Sequence, residues 1–314
     1  MIQRDIAYRV RAIESLSPTL KRIVLESATG DPLPVGAAGA HIALTLKCGD
    51  RILRNSYSLI APSDGTGRYE LIVRRTDPSR GGSHFVHDEL TVGAVLAGYV
   101  PHNLFPSFSH ARKHLLIGGG VGITPLLAHL AALRREGARV ELHQLAAAEE
   151  VALFTQLLAP WAGDDVQVHG GREGLDLEAL LSRQPLGTHV YVCGPAALMD
   201  RVEGMAVALG WPDGRIHRES FGASGGEPFT VRLARSGGEV RVGPDESMLQ
   251  ALENAGVAAP SLCRGGACGE CLTRVLEGEP EHRDHYLTAE EKASGQFVMP
   301  CVSRAHSDML VLDL

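Results

Sequence analysis

The sequence predicts a multi-domain chain: an antiparallel β-barrel, then a doubly wound α/β domain, then a small α+β domain. Three observations carry that expectation. The first hundred residues are short alternating apolar runs divided by turn residues. After Pro106, strand-like runs alternate with helix-like ones, the rhythm of a parallel sheet. A small, polar, Gly-rich stretch, Gly222-Ala-Ser-Gly-Gly-Glu-Pro228, then precedes a cysteine-rich tail and reads as a linker. With 314 residues the chain is long for one core, and domains are expected at 1–106, 107–224 and 225–314.

In the first part, period-two alternation places strands at Ile6–Ile13, Lys21–Leu25, His41–Leu46, Arg54–Leu59 and Tyr69–Arg74, with Thr91–Leu96 and Pro101–Pro106 closing the barrel. In the second, strands are expected at His114–Ile117, Arg139–Leu145, Val166–His169 and His189–Cys193. Helices are expected at Pro125–Glu136, Leu153–Leu158, Leu177–Leu181 and Ala196–Leu209. In the third, Phe229–Leu233 and Gly238–Val242 form a hairpin and Ser247–Asn254 a helix.

A net charge of −7 argues against nucleic-acid binding, which needs clustered Lys and Arg in excess. The acidity belongs to the tail: residues 225–314 carry 14 acidic and 8 basic side chains. It serves either solubility or the steering of a basic partner surface. The N-terminus lacks the apolar core of a secretory signal, and the most apolar stretch, Leu115–Leu133, is interrupted by Gly, Pro and His, so no membrane span is expected. A cytoplasmic location follows as an expectation, and in that reducing compartment clustered cysteines are metal ligands before they are disulfides.

Cys263, Cys268, Cys271 and Cys301 follow the C-x4-C-x2-C…C spacing of plant-type [2Fe–2S] ligands. Gly265, Gly266 and Gly269 let the loop wrap a cluster and bring N–H groups to its sulfurs. Structural zinc is disfavoured because only one C-x2-C unit is present. Cys48 reads as a small apolar residue. Cys193 reads equally as core or as a residue facing a bound nucleotide.

Leu115-Leu-Ile-Gly-Gly-Gly-Val-Gly-Ile-Thr-Pro125 reads as strand, glycine turn and helix start. Gly118, Gly119, Gly120 and Gly122 would admit a pyrophosphate beside a helix N-terminus carrying Thr124 and Pro125. Val190-Tyr-Val-Cys193-Gly194-Pro195 supplies a second such turn on the same sheet edge. The strand Glu141–Leu145 leads into Ala146-Ala-Ala-Glu-Glu150, a cation-poor segment that favours NADH over NADPH. In the barrel, Arg54-Asn-Ser-Tyr57-Ser58 and Arg80-Gly81-Gly82-Ser83 offer a ring neighbour and phosphate donors. Alone they are weak, since such an Arg is more often a solvated surface charge.

Taken together, these motifs resemble the phthalate dioxygenase reductase family, which includes vanillate demethylase reductases, over nearly the whole chain. The resemblance implies a flavin-binding barrel, an NAD-binding domain and a plant-type ferredoxin domain of β-grasp form. It implies that Arg54, Tyr57 and Ser58 bind flavin, that Arg80 to Ser83 grip the phosphate of FMN, and that Gly118–Pro125 and Cys193–Pro195 receive NADH. It also places Glu219 and Phe221 near the flavin and nicotinamide, with Phe221 covering the ring. No side chain is expected to move a proton in the hydride step. The implied acceptor is a Rieske-type terminal oxygenase. A reductase of another acceptor, such as a cytochrome P450, and a non-catalytic redox sensor are the alternatives.

Overall fold

The computed structural model describes residues 5–49, 51–62, 67–77, 79, 81–171, 174–221, 226–244 and 246–314. Arg80 and the linker residues 222–225 lie outside the described residues. The chain divides into two compact units: Met1–Leu46, Tyr57–Thr76 and Ser83–Ser220 in one, Lys47–Ser56, Asp77–Gly82 and Phe221–Leu314 in the other.

The N-terminal strands are β1 (Asp5–Ser17), β2 (Leu20–Ser27), β3 (Ala40–Cys48), β4 (Arg51–Ser58), β5 (Arg68–Arg74), β6 (Val95–Tyr99) and β7 (His102–Asn103). They build a curled antiparallel sheet in the order β4-β3-β6-β1-β2-β5, with β7 beside β3. Alternation explains the pattern: Tyr8 and Val10 of β1 are buried while Arg9 between them is exposed. Register shifts in β1 after Val10 and Ser15 bend the sheet. Gly98 is required where β6 crosses its neighbours, because a Cβ there would lie 2.6 Å from the Ala43 carbonyl. The buried Tyr8 hydroxyl donates to the Tyr99 carbonyl at 2.7 Å. Between β5 and β6 lies a helical segment that sequence periodicity did not indicate: α1 (Gly82–His84) continues into a π-helical turn, Phe85–Glu89.

The first unit also holds a parallel sheet of β8 (Lys113–Gly119), β9 (Val140–Ala146), β10 (Val166–Gly170), β11 (Thr188–Cys193) and β12 (Ile216–Glu219). Its helices are α2 (Ile123–Arg135), α3 (Val151–Leu158), α4 (Leu177–Ser182) and α5 (Ala196–Ala208). The order β10-β9-β8-β11-β12 reverses direction at β8, so the switch point lies between β8 and β11. Leu116, Leu142 and Tyr191 join the α2–α3 side of the core, and Leu115, Val190 and Val192 join the α4–α5 side. Burial on both faces is why these strands read as near-continuous apolar runs.

The second unit contains β13 (Phe229–Leu233), β14 (Glu239–Val242), β15 (Thr273–Glu277), β16 (Pro280–Glu281), β17 (Phe297–Val298), β18 (Arg304–Ala305) and β19 (Met309–Leu312), with α6 (Met248–Asn254) and α7 (Ala289–Ser294). The main sheet runs β14-β13-β19-β15-β17 and is mixed, since β13 and β19 are parallel. Ser247 caps α6 by accepting from the Gln250 N–H at 3.2 Å. Arg304, wholly buried, donates to the carbonyls of Glu246 at 2.8 Å, Glu227 at 2.9 Å and Gly243 at 3.0 Å, and lies over the Phe229 ring. It ties the start of β13 to the β14–α6 connection. Arg304→Met should leave those carbonyls without their donor and lower stability by about 3 kcal/mol, measured as a urea-unfolding midpoint.

Candidate functional site

Two clusters of predicted residues are brought together. The first is at the switch point, where Gly118 of β8 stands in register with Cys193 of β11. There the two turns press backbone against backbone. A Cβ on Gly122 would overlap the Cys193 carbonyl and come 2.7 Å from the Gly194 Cα. One on Gly119 would meet Leu198 at 2.7 Å and Pro195 at 2.8 Å. Gly120, at φ +54°, needs the left-handed region. These glycines keep a shallow, side-chain-free floor in front of the α2 N-terminus, the form that suits a pyrophosphate. Thr124 is buried and donates to the Val121 carbonyl at 3.0 Å, while Pro125 lies inside the first turn of a helix that begins at Ile123.

Sequence reading missed two supports of this loop. Gln144, fully buried on β9, fills the space beside Gly118 and donates to the Gly120 carbonyl at 2.9 Å. Arg74 of β5 pairs with Glu150 at 2.8 Å and stands 3.9 Å from where a Gly120 Cβ would sit. No sequence signal marked either one, because burial and partner are set by the fold; once buried, such a Gln needs a partner.

Cys193 is fully buried, and burial together with the neighbouring Glu219 pushes its thiol well above the ordinary range. Glu219, its register partner on β12, is pushed up to about 8 by burial, and its Oε2 has no hydrogen-bond partner. At neutral pH this carboxyl is protonated and can donate. Phe221 is half exposed.

The flavin candidates lie on two separate segments, β4 and the loop that leads into α1. Arg54 and Tyr57 are partly buried on β4 and Ser58 is buried. Arg54 Nε is buried without a hydrogen-bond partner. Gly81, at φ +116°, donates its N–H to the Ser79 hydroxyl oxygen at 3.1 Å. Ser83 Oγ accepts from the Thr76 N–H at 3.3 Å, closing a tight loop around Gly81 and Gly82.

The second cluster is the four cysteines, which stand as two thiol pairs. Cys271 and Cys301 sulfurs are 3.2 Å apart, both buried. Cys263 and Cys268 are also within hydrogen-bond range, and Cys268 is the more exposed. Cys263 is drawn down to about 5, first by the Cys268 thiol and then by the N–H groups of Ala267, Gly265 and Cys268. Two thiol pairs suit a two-iron cluster, which Cys263, Cys268, Cys271 and Cys301 would hold. The residues therefore fit the group that their spacing implies.

Comparison with known proteins agrees with this geometry. Residues 231–306 match the 2Fe-2S iron-sulfur cluster binding domain, and residues 102–216 match the N-terminal domain of dimethylamine monooxygenase subunit DmmA-like proteins. The chain is 44% identical to the heme-dependent oxidative N-demethylase beta subunit of Ectopseudomonas mendocina, covering 98% of both chains. It is 37% identical to phthalate dioxygenase reductase of Burkholderia cepacia, over 98% of this chain and 96% of that protein. A solved phthalate dioxygenase reductase, described as a modular structure for electron transfer from pyridine nucleotides to [2Fe–2S], superposes with a TM-score of 0.80 at 36% identity, covering 99% of this chain and 98% of that one. The chain belongs to the phthalate dioxygenase reductase family. As a member it is an iron–sulfur flavoprotein oxidoreductase using NADH, FMN and a [2Fe–2S] cluster, the reductase of an oxygenase system. Among the described residues no helix is long and apolar enough to cross a membrane.

Two outcomes follow for this reductase. Gly122→Ala should displace the Cys193–Gly194 turn and raise KM for NADH tenfold or more while leaving flavin and iron content unchanged, measured by steady-state reduction of an artificial acceptor. Glu219 has a folded value raised from 4.5 to about 8, so its ionised form is favoured in the unfolded chain. Stability should therefore fall as pH rises through that window. Glu219→Gln should remove the fall, giving an advantage in urea midpoint that is absent at pH 4 and largest above pH 8.

Proposed function

We propose that this reductase delivers its electrons to a Rieske-type terminal oxygenase in the reducing cytoplasm, through three parts spanning residues 1–106, 107–224 and 225–314. The observation that supports the electron path is the pairing of Cys263 with Cys268 and of Cys271 with Cys301, which would offer two thiolates to each iron. A flavin held by Arg54, Tyr57 and Ser58 would supply the conversion between a two-electron donor and a one-electron iron–sulfur centre.

The chain's own work is placement. Gly118, Gly119, Gly120 and Gly122 leave the pyrophosphate of NADH room against the backbone, with Thr124 and Pro125 shaping the helix start behind it. Cys193, Gly194 and Pro195 form the opposite wall of the nicotinamide site. Glu219, neutral at pH 7, offers a donor there rather than a charge, and Phe221 screens the flavin ring. Arg54, Tyr57 and Ser58 orient the flavin, while Arg80, Gly81, Gly82 and Ser83 hold the FMN phosphate. Buried Cys263, Cys271 and Cys301 shield the cluster, and the partly exposed Cys268 marks the side open to exchange. No side chain needs to move a proton during hydride transfer.

A second reading gives the acceptor role to a haem-dependent N-demethylase. It is favoured by the 44% identity to such a protein's beta subunit and by the match of residues 102–216. Anaerobic titration with NADH should bleach flavin and iron–sulfur bands together and release FMN on denaturation. Mixing the reduced protein with a Rieske oxygenase and, separately, with a haem N-demethylase then separates the two: rapid reduction of the Rieske centre supports the first reading, and rapid haem reduction alone replaces it with the second.

A further inference from the structure

We infer that Glu253 is a positioning residue that sets the charge and conformation of the cluster loop by sharing one carboxylate between Arg264 on that loop and Arg54 on β4. The inference rests on the reading above, in which Cys263 ligates iron and Arg54 serves the flavin.

Arg264 follows Cys263 directly and is the one non-glycine residue at positive φ among those described, at +55°. That region is unfavourable for a residue that carries a Cβ. Its consequence is local: the turn aims the Gly265 N–H at Cys263 Sγ, 3.3 Å away. Hydrogen bonds to a ligand sulfur and charge beside a cluster are two of the protein's means of setting its reduction potential. The strained residue therefore needs an anchor, and Glu253 supplies it through a hydrogen-bonded ion pair with the Arg264 guanidinium.

The pair is well shielded, with Arg264 11% and Glu253 19% exposed at the side chain, so the charges interact more strongly than on an open surface. The same Glu253 Oε1 stands 3.5 Å from Arg54 Nη1. Two residues further along β4, the Ser56 hydroxyl donates to the Cys263 carbonyl at 3.1 Å. One face of β4 thus holds the Cys263–Arg264 peptide both directly and through Glu253.

Helix stability does not explain this carboxylate. Glu253 is the penultimate residue of α6, at the end where the helix dipole disfavours negative charge. Two arginines converging on one oxygen do explain it. Their combined charge is +2 against −1, so loss of the carboxylate raises the net charge beside the first ligand from +1 to +2. Reduction adds negative charge to the cluster, which the higher positive charge would favour.

The test is a potentiometric titration, followed by electron paramagnetic resonance, of protein whose FMN and iron contents are measured first. Glu253→Gln should shift the cluster–flavin electron equilibrium tenfold or more toward the cluster, 59 mV for one electron, and should change the anisotropy of the reduced-cluster signal. Glu253→Asp should restore most of the wild-type potential. Arg264→Gly, which tolerates positive φ and removes the cation, should shift the equilibrium the opposite way and remains informative if Glu253→Gln assembles poorly. Unchanged potentials in fully loaded Glu253→Gln or Arg264→Gly overturn the inference and leave the family reading intact. Wild-type protein without FMN or iron would overturn that reading as well.

Discussion

The nucleotide site depends on one constraint: two turns of bare backbone must meet without side chains between them. The topological switch between β8 and β11 puts the ends of those strands side by side, with Gly118 opposite Cys193. Any Cβ at Gly119 or Gly122 would part the turns. The apolar strands, the buried face of α2 and the tie from Gln144 to Gly120 all hold that contact in place. A parallel sheet is well suited to this, since its strands are clamped by helices on both faces and their ends cannot drift independently.

The ferredoxin unit meets a comparable demand differently. Its cysteine loop must place three sulfurs within nine residues, Cys301 bringing the fourth from beyond β17, while leaving N–H groups free to face them, which a regular helix or strand cannot do. Order is imposed from outside the loop. Asp284, fully buried, accepts from the N–H groups of Tyr286 at 3.2 Å and Leu287 at 2.8 Å, and Gly266 accepts the His285 N–H at 3.0 Å. Arg304 does the same for the β14–α6 connection. Asp284 and Arg304 are buried polar side chains held on backbone partners, costly to bury and therefore strongly specifying.

How far the sequence foretold this differs by scale. Strands of the parallel sheet are placed to within a residue or two because both-face burial makes continuous apolar runs, and the cysteine spacing announces its chemistry because the ligand types are few. β12 was missed: Ile216-His-Arg-Glu219 is a short edge strand with half-buried polar residues, which carry no period. The helical turn at Gly82–Glu89 was hidden by two glycines that read as loop. Gln144, Glu150 and Glu253 were invisible for another reason. Each acts through a partner far along the chain, at Gly120, Arg74 and Arg264, and no spacing rule encodes a contact made by folding.

The acidity of the tail reads differently once its partners are seen. Of the acidic residues between 225 and 314, Glu239, Glu253, Glu281 and Asp313 are held in ion pairs with Arg232, Arg264, Arg283 and Arg235, and Asp284 is buried. Those charges organise the unit itself. Exposed Glu270, between ligands Cys268 and Cys271, is placed otherwise: it stands beside the most exposed of the four cysteines, where its field reaches an incoming partner within a Debye length of about 8 Å at physiological salt. Net charge across the tail is thus a poor guide to docking, since part of it is committed to ion pairs within the unit.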